Sequence, residues 1–532
     1  MYGFRISIGE QVQWDIRENK YSFVRHWTTS GIHLTQWSLR KFEKDKLWLE
    51  DDEHFVAVEG ILFNRDEIVS GWQETDEHSE TFATKIAQWR GSFACVVANK
   101  QTHEIQLYND QIGSHMLFWC QTEKGIYVCS DLFELSHAIG LHEINTAFMH
   151  RILKSGYGNN EQTMVKGIYR IGAGQVLTIK DGKAEVSNYY RFDNKPLHTN
   201  EDEALARTNE LFRQAVKRII DKNEEYGLRH FYPLSGGLDS RMVQTIARQL
   251  TTQPITNFTY SQTNHYDHLL PEKIANYLGN EWCFLPLDGG IYLAKVDEIT
   301  HATQGLVNYN GPSEIYYCST QFGWTDAGVV ATGVNGDNIF SVETDSKHEI
   351  ERLYSLSFAG NGLGSPLVLQ QYTETYSPFC DVDVLNYVLH IPLRKRWNYH
   401  FYDQWILRYY PEAAQWDHKG EQIGHRRIVL PIMGRNIPLK DLAKRMTFFI
   451  LKRLHIYNGY QMEEGISMTP YDTWVRTNPE LHKAIDSYYQ AGKHLLAPYP
   501  EIQKEAETIM REGRVYDQCA VLTILSTIRQ CQ

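Results

Sequence analysis

The stretch that decides the fold of this chain is Leu234-Ser235-Gly236-Gly237-Leu238-Asp239-Ser240. A short run before it, from about His230, predicts a strand. After it, apolar residues recur at spacings of three and four and so share one face of a predicted helix: Met242, Val243, Ile246 and Leu250. The loop is therefore predicted to lie at a strand-to-helix turn, which is where α/β sheets bind nucleotides.

The residue types in this loop suit a phosphate group. Gly236 and Gly237 let the backbone approach an anion closely, and the amides at the start of the helix point toward it. Ser235 and Ser240 add hydroxyl donors. Asp239 would repel phosphate, so its expected role is to hold a Mg²⁺ ion that bridges phosphate oxygens. A glycine-rich turn without a ligand is the alternative.

Length and composition limit the function classes. The chain has 532 residues, 42% of them hydrophobic, which predicts a globular, soluble protein of two or more domains. Its net charge of −12 argues against a large nucleic-acid footprint. The eight cysteines show no metal-binding spacing and are expected to be reduced thiols. We find no signal peptide or membrane span, so a cytoplasmic location is expected.

Ser-Gly-Gly-x-Asp-Ser after a strand resembles the pyrophosphate loop of the N-type ATP pyrophosphatases, also called PP-loop enzymes. These enzymes cleave ATP between its α and β phosphates. The resemblance implies that ATP and Mg²⁺ are bound by residues 234–240, with Asp239 as a metal ligand. Pro233 is a local departure, because it removes a backbone donor from the preceding strand. The loop alone does not choose between amide ligases and tRNA-modifying enzymes.

Residues 1–195 are predicted to form a β-rich, α+β sandwich, with a hairpin turn at Asp181-Gly182. Gly91-Ser92-Phe93-Ala94 and Asn109-Asp110-Gln111-Ile112-Gly113 resemble the class II glutamine amidotransferase domain, an N-terminal-nucleophile hydrolase fold. Working members of that family expose a cysteine at residue 2, whereas this chain has Tyr2. The family's Asn-Gly-Glu signature falls at Glu59-Gly60-Ile61. We therefore expect the domain to keep its fold without glutaminase chemistry.

Residues 200–532 are predicted to form a doubly wound parallel sheet with a helical C-terminal part. Asn200, with Glu203 three residues on, predicts a capping box at a helix start. A later helix is predicted from Pro271 to Leu278.

The domain order resembles the asparagine synthetase family, and this resemblance supplies further site residues. Tyr260 falls where the family's backbone meets adenine, and Asp267 falls at a family acidic position, although a helix N-terminal acid explains Asp267 equally well. Thr332-Gly333-Val334-Asn335-Gly336-Asp337 matches the family's second loop, with Asp337 as the second metal carboxylate.

Three more positions bear on the chemistry that the resemblance implies. Lys419 falls where the family has a lysine that steadies departing pyrophosphate; the alternative is a solvated surface lysine. Tyr376 replaces an arginine of the family's Arg-x-Pro-Phe-Leu-Asp motif. Val334 replaces a glutamate that can act as general base in the family, so the amine would need another base, or the chemistry would stop at the activated acyl group.

The resemblance implies an ATP-dependent carbon–nitrogen ligase that adenylates a carboxylate for attack by an amine or ammonia. Asp239, Asp337 and Lys419 would be its catalytic residues. The acid would be a small molecule, a peptide or a sugar acid, and a homodimer is possible. No nucleic acid or membrane partner is expected. The alternatives are a degenerate nucleotide-binding scaffold and a nucleic-acid-modifying PP-loop enzyme.

Overall fold

The computed structural model describes residues 1–73, 81–158, 161–340, 346–360, 362–417, 423, 429–432, 435–438, 446 and 467–532. Its strands are β1 Gly3–Gly9, β2 Ser22–Thr29, β3 Ile32–Leu39, β4 Trp48–Glu50, β5 His54–Leu62, β6 Gly91–Asn99, β7 Ile105–Asn109, β8 Phe118–Thr122, β9 Gly125–Cys129, β10 Tyr169–Arg170, β11 Gln175–Lys180, β12 Lys183–Asn188, β13 His230–Pro233, β14 Ile255–Ser261, β15 Glu281–Pro286, β16 Val330–Ala331, β17 Thr375–Tyr376, β18 Val429–Ile432 and β19 Arg435–Pro438.

The α-helices are Arg65–Gln73, Phe82–Ala87, Leu132–Ile139, Thr146–Ser155, Glu201–Glu225, Leu238–Leu250, Tyr266–Leu278, Val296–Ala302, Ser313–Gln321, Gly336–Phe340, Glu349–Arg352, Gly364–Leu369, Val382–Val388, Leu393–Arg396, His400–Tyr409, Tyr471–Thr477, Pro479–Gly492, Pro500–Glu512 and Val515–Cys531. Shorter 3₁₀ turns are Glu43–Asp45, Ile291–Ala294, Pro378–Cys380, Trp397–Tyr399 and Lys493–Leu496, and Leu353–Phe358 is a π-helix.

The first part of the chain is a sandwich of two six-stranded antiparallel sheets. The sheet orders are β10-β8-β9-β1-β3-β2 and β12-β11-β7-β6-β5-β4. The continuous apolar run of β5 follows from its position, since Phe55 and Ala57 face the other sheet while Val56 and Val58 face a separate core under the helices. The predicted hairpin is confirmed: Asp181 and Gly182, at φ 51° and 71°, join β11 to β12.

A parallel sheet forms the centre of the second part. β13 pairs with β14 and β14 with β15, and a parallel bridge between Arg229 and Ala327 places β16 beside β13. Alternate residues of β13 face opposite ways. Tyr232 packs with helices Glu201–Glu225 and Leu238–Leu250, whereas Phe231 packs with Ser313–Gln321 and Gly364–Leu369. Helices therefore cover both faces, as the α/β prediction requires.

Two helix starts test the local predictions. The Asn200 side chain accepts a hydrogen bond from the Glu203 amide at 2.8 Å, so the predicted N-cap of helix Glu201–Glu225 is confirmed. The helix predicted from Pro271 begins earlier, at Tyr266, and that predicted start is wrong. The His265 side chain accepts from the Asp267 amide at 3.2 Å and caps the true start, so Pro271 lies inside the helix.

The last helix connects the two parts of the chain. Cys519, Leu522 and Leu525 of helix Val515–Cys531 share a core with Phe118 and Tyr127 on the outer face of the first sheet. The C-terminal helices therefore stabilise the N-terminal sandwich directly. No helix of the described residues is long and apolar enough to cross a membrane.

Candidate active site

The predicted phosphate loop joins β13 to helix Leu238–Leu250. The start of the loop is attached to the neighbouring strand β14, because the Leu234 amide donates a hydrogen bond to the carbonyl oxygen of Phe258 at 2.9 Å. The side chains of Leu234 and Leu238 are buried in separate cores, which leaves only their main-chain atoms for the site. The loop thus continues directly from the strand and is anchored to the sheet at Leu234.

Polar groups within the loop hold its shape. The Ser235 amide donates to Ser240 Oγ at 3.0 Å, and the Gly237 amide donates to Ser235 Oγ at 3.2 Å. The Gly236 amide donates to Asp267 Oδ1 at 3.0 Å. Asp267 therefore contacts the predicted phosphate loop, and its carboxylate occupies the position of an anion on one loop amide. A Cβ at Gly236 would lie 2.4 Å from the Tyr266 ring and 2.9 Å from Asp267 Oδ1, so only glycine fits.

The second predicted loop lies directly against the first. The Asp337 amide donates to Asp239 Oδ2 at 3.1 Å, although the two residues are 98 positions apart. Gly333 and Gly336 make this approach possible, because a Cβ at Gly333 would lie 2.6 Å from the Ser240 amide nitrogen and one at Gly336 would lie 2.3 Å from the Asp239 carboxyl carbon. The parallel order of β13 and β16 brings both loops to the same edge of the sheet.

Asp239 is in an environment that disfavours a lone negative charge. Burial, and next the neighbouring charge of Asp337, raise the pKa of Asp239 above its usual range. Asp337 is exposed to solvent. Two adjacent carboxylates with one raised pKa supply hard oxygen donors that fit a Mg²⁺ ion retaining several waters. Among the described residues no cluster of three or more histidine, cysteine or acidic side chains could hold a metal.

Two tyrosines that the sequence did not single out hold these carboxylates. Tyr402, which is fully buried, donates its hydroxyl to Asp239 Oδ1 at 2.8 Å. Tyr399 donates to Asp337 Oδ1 at 3.0 Å and has a left-handed backbone with φ 61°. Both lie at the start of helix His400–Tyr409. A run of tyrosines in an aromatic-rich helical region gives no local sign of this role.

Arg241 is a third residue that the sequence reasoning missed. It is fully buried, and its guanidinium donates to the carbonyl oxygens of Gly236, Ala413 and Trp416 at 2.9, 3.0 and 3.0 Å. It therefore ties the phosphate loop to the segment that leads toward residue 418. An arginine on the buried side of an apolar helix was the available signal. Lys419, predicted to follow this segment, lies outside the described residues.

The other predicted site residues fall around the same edge. Tyr260 is half-buried near the end of β14, and the Thr332 amide donates to the Tyr376 carbonyl oxygen at 3.0 Å. Tyr376 itself is buried and donates its hydroxyl to Asp381 Oδ2 at 3.0 Å. Arg218 of the long helix bonds the same Oδ2 atom at 2.7 Å. Arg218 thus supplies a positive charge beside the tyrosine that replaces the family's arginine.

A cavity of about 60 Å³ lies beside the second loop, between the two parts of the chain. Ser92 and Ser114 line it from the sandwich, and Val334 and Ser377 from the second part. Ser357 also lines it, and its buried Oγ has no hydrogen-bond partner among the described residues. The lining side chains are neutral, so the cavity suits a small polar group rather than an ion.

Comparison with known families agrees with both halves of this arrangement. The asparagine synthase profile matches residues 207–358, which include both loops. The glutamine amidotransferase domain profile matches residues 47–190 of the sandwich. The chain has the architecture of the asparagine synthetase family.

Individual relatives within the asparagine synthetase family are distant. The chain is 24% identical over 196 residues to "Asparagine synthetase [glutamine-hydrolyzing] 1" of Bacillus subtilis, which covers 36% of this chain and 30% of that protein. It is 25% identical over 279 residues to the Cricetulus griseus asparagine synthetase, covering 48% and 46%. The alignments thus span less than half the length of these curated relatives.

Two solved structures with similarity to part of this chain are an amidotransferase and a synthetase. A glutamine phosphoribosylpyrophosphate amidotransferase from B. subtilis has a TM-score of 0.24 at 10% identity, covering 48% of this chain and 77% of its own. An NMN synthetase from Francisella tularensis has a TM-score of 0.21 at 16% identity, covering 36% and 73%.

Proposed function

We propose that this protein is an ATP-dependent amide ligase that forms AMP and pyrophosphate. A substrate carboxylate attacks the α-phosphate of ATP, pyrophosphate leaves, and a nitrogen nucleophile then displaces AMP from the acyl-adenylate. The acid would be a small molecule, a peptide or a sugar acid. The observation that carries the proposal is the contact between Asp239 and the second loop at Asp337, at the mouth of a glycine-rich strand-to-helix turn.

Each residue of the site has a role in this scheme. The loop amides, with the hydroxyls of Ser235 and Ser240, would bind the leaving phosphates, and a phosphate oxygen would replace Asp267 Oδ1 on the Gly236 amide. Asp239 and Asp337 would hold Mg²⁺, which supplies charge neutralisation to the phosphates. Lys419 would steady the departing pyrophosphate, because negative charge grows there as the bond breaks. Catalysis would thus depend mainly on positioning and charge.

We also propose that the sandwich domain has no glutaminase activity. Tyr2, at the position where the resemblance places the nucleophilic cysteine, packs edge-on against Trp37, with ring centroids 4.9 Å apart. The Glu59 carboxylate is engaged by Lys46 at 3.2 Å and by Gln36 at 2.8 Å. Cys95, the first cysteine in the chain, is buried in β6, and burial raises the pKa of its thiol well above the usual value.

The attack of the amine requires a base to take up its proton, and the expected glutamate base is missing. Val334 stands where a glutamate base is expected, and its carbonyl oxygen accepts a hydrogen bond from Ser377 at 2.7 Å. The adjoining cavity offers only neutral side chains, so the nucleophile would have to enter as the free base. Val334 also favours one alternative function, a nucleotide-binding protein that forms no amide.

The test is a screen of carboxylic acids for ATP–pyrophosphate exchange with Mg²⁺. Asp239→Ala is expected to abolish exchange with the active acid, because the variant loses one of two metal carboxylates. Asp486→Ala, at an exposed carboxylate on helix Pro479–Gly492, is the matched control and should keep full exchange. Unchanged exchange in Asp239→Ala would remove this residue from the mechanism. ATP binding without exchange for any acid in the screen would favour the alternative, a nucleotide-binding protein that forms no amide.

A further inference from the structure

A second cavity, of about 730 Å³, lies between the N-terminal sandwich and the second part of the chain, which contains the parallel sheet. Its volume is within the range of small-molecule sites, which runs from about 300 to 1,000 Å³. Leu39 and Phe42 line it from the sandwich, and Trp324 and Tyr372 from the other side. Because both parts of the chain build its walls, a ligand there would touch both.

This cavity is separate from the nucleotide cleft. Leu228 in its wall precedes β13, whereas the phosphate loop follows that strand. Trp324 and Tyr372 likewise precede β16 and β17. The cavity therefore lies at the amino-terminal edge of the parallel sheet, and the four residues of β13 place about 13 Å of strand between the two sites.

The cavity is lined by positively charged side chains and by aromatic side chains. Lys20, Arg40 and Lys41 line the cavity, and the lining contains no aspartate or glutamate. Its walls are largely aromatic, formed by Tyr2, Phe42, Tyr226, Phe322, Trp324 and Tyr372. Aromatic faces stack on planar groups, and a cavity lined by cations and by no acidic residue attracts anions.

The three cationic side chains of the lining have few close ion-pair partners, which favours an anionic ligand. Lys20 and Lys41 have no ion-pair partner among the described residues, and Arg40 faces Glu18 and Glu43 only at 3.7 and 3.9 Å. The Lys41 ammonium donates to the carbonyl oxygens of Trp324 and, at 2.8 Å, of Ala327, and Asp326 and Glu374 act on it only at longer range, without an ion pair. Burial lowers the pKa of Lys41 to about 8. A bound anion would relieve this penalty.

We propose that this cavity is a second ligand site, which takes an anionic small molecule with a planar ring, such as an aromatic carboxylate. The anion would face Lys20, Arg40 and Lys41, and the ring would lie between the aromatic walls. The proposal is independent of the proposed ligase activity, because no residue of the nucleotide cleft takes part.

The test uses two fluorescent probes that share a ring system, anilinonaphthalene sulfonate and its neutral analogue N-phenylnaphthylamine. The sulfonate is expected to bind the full-length protein saturably at one site and more tightly than the neutral probe. The variant Lys20→Gln/Arg40→Gln should weaken sulfonate binding about tenfold, as expected for two lost exposed ion pairs, and leave the neutral probe unchanged.

The controls separate this site from others. Lys483→Gln/Arg511→Gln removes the same charge from exposed positions on the C-terminal helices and should change neither probe. Phe322→Ala should weaken both probes, with folding checked by thermal denaturation. Equal affinity for the two probes, an unaffected Lys20→Gln/Arg40→Gln variant, or displacement of the sulfonate by ATP with Mg²⁺ would overturn the proposal.

Discussion

Removing the Tyr402 hydroxyl should weaken metal binding while leaving the fold intact. Tyr402→Phe keeps the buried ring but deletes the 2.8 Å hydrogen bond to Asp239 Oδ1. A hydrogen bond to a charged group contributes about 1.5–3 kcal/mol. Because Mg²⁺ requires the ionised form of Asp239, this loss falls on the metal-bound state. We therefore expect metal affinity to drop about 10- to 100-fold, the range typical for residues that orient metal ligands.

The assay is a titration of the protein with Mn²⁺ in the presence of ATP, followed by electron paramagnetic resonance. A parallel titration with Mg²⁺ follows ATP–pyrophosphate exchange. We expect the metal concentration at half-maximal rate to rise, while the rate at saturating metal falls much less. A loss caused by misfolding would instead lower the maximal rate and the thermal midpoint.

A matched variant removes a hydroxyl of the same kind from the same helical region. Tyr410 is also buried, and its hydroxyl donates to Asn209 Oδ1 at 2.7 Å, away from the two carboxylates. Tyr410→Phe should leave both metal titrations unchanged. If Tyr402→Phe binds Mn²⁺ as tightly as the unaltered protein, the tyrosine does not position Asp239 and the reasoning fails.

Three further predictions concern the loop, a buried acid and the sandwich domain. Gly236→Ala should lower ATP–pyrophosphate exchange by about 10- to 100-fold, because the added Cβ displaces the loop; Gly71→Ala, at an open position, should have no effect. Burial raises the pKa of Glu314 to about 7, so the native state binds an extra proton between pH 4.5 and 7 and loses stability as pH rises. Relative to the unaltered protein, Glu314→Gln should therefore gain about 2–3 kcal/mol across that interval in denaturant unfolding, and a pH-independent difference would contradict this. Purified protein should release no ammonia from glutamine, and measurable release would disprove our interpretation of Tyr2.

Local signals were sufficient for the elements around the site. The apolar spacing of Met242, Val243 and Ile246 predicted a helix face that is buried in the structure. Asn200 predicted a helix start, because an N-cap depends only on the next three residues. The start of helix Tyr266–Leu278 was predicted wrongly, since proline is the stronger local signal and the His265 cap is less common.

The sequence by itself determined where the Ser-Gly-Gly loop lies, because a glycine-rich turn between a strand and an amphipathic helix is encoded within about twenty residues. Only the tertiary structure decided what surrounds that loop. Asp239 meets the Asp337 loop across 98 positions and Tyr402 across 163, and both contacts depend on strand order and helix packing. Neither leaves a periodicity or spacing in the chain, because residues distant in sequence become neighbours only once the parallel sheet has assembled.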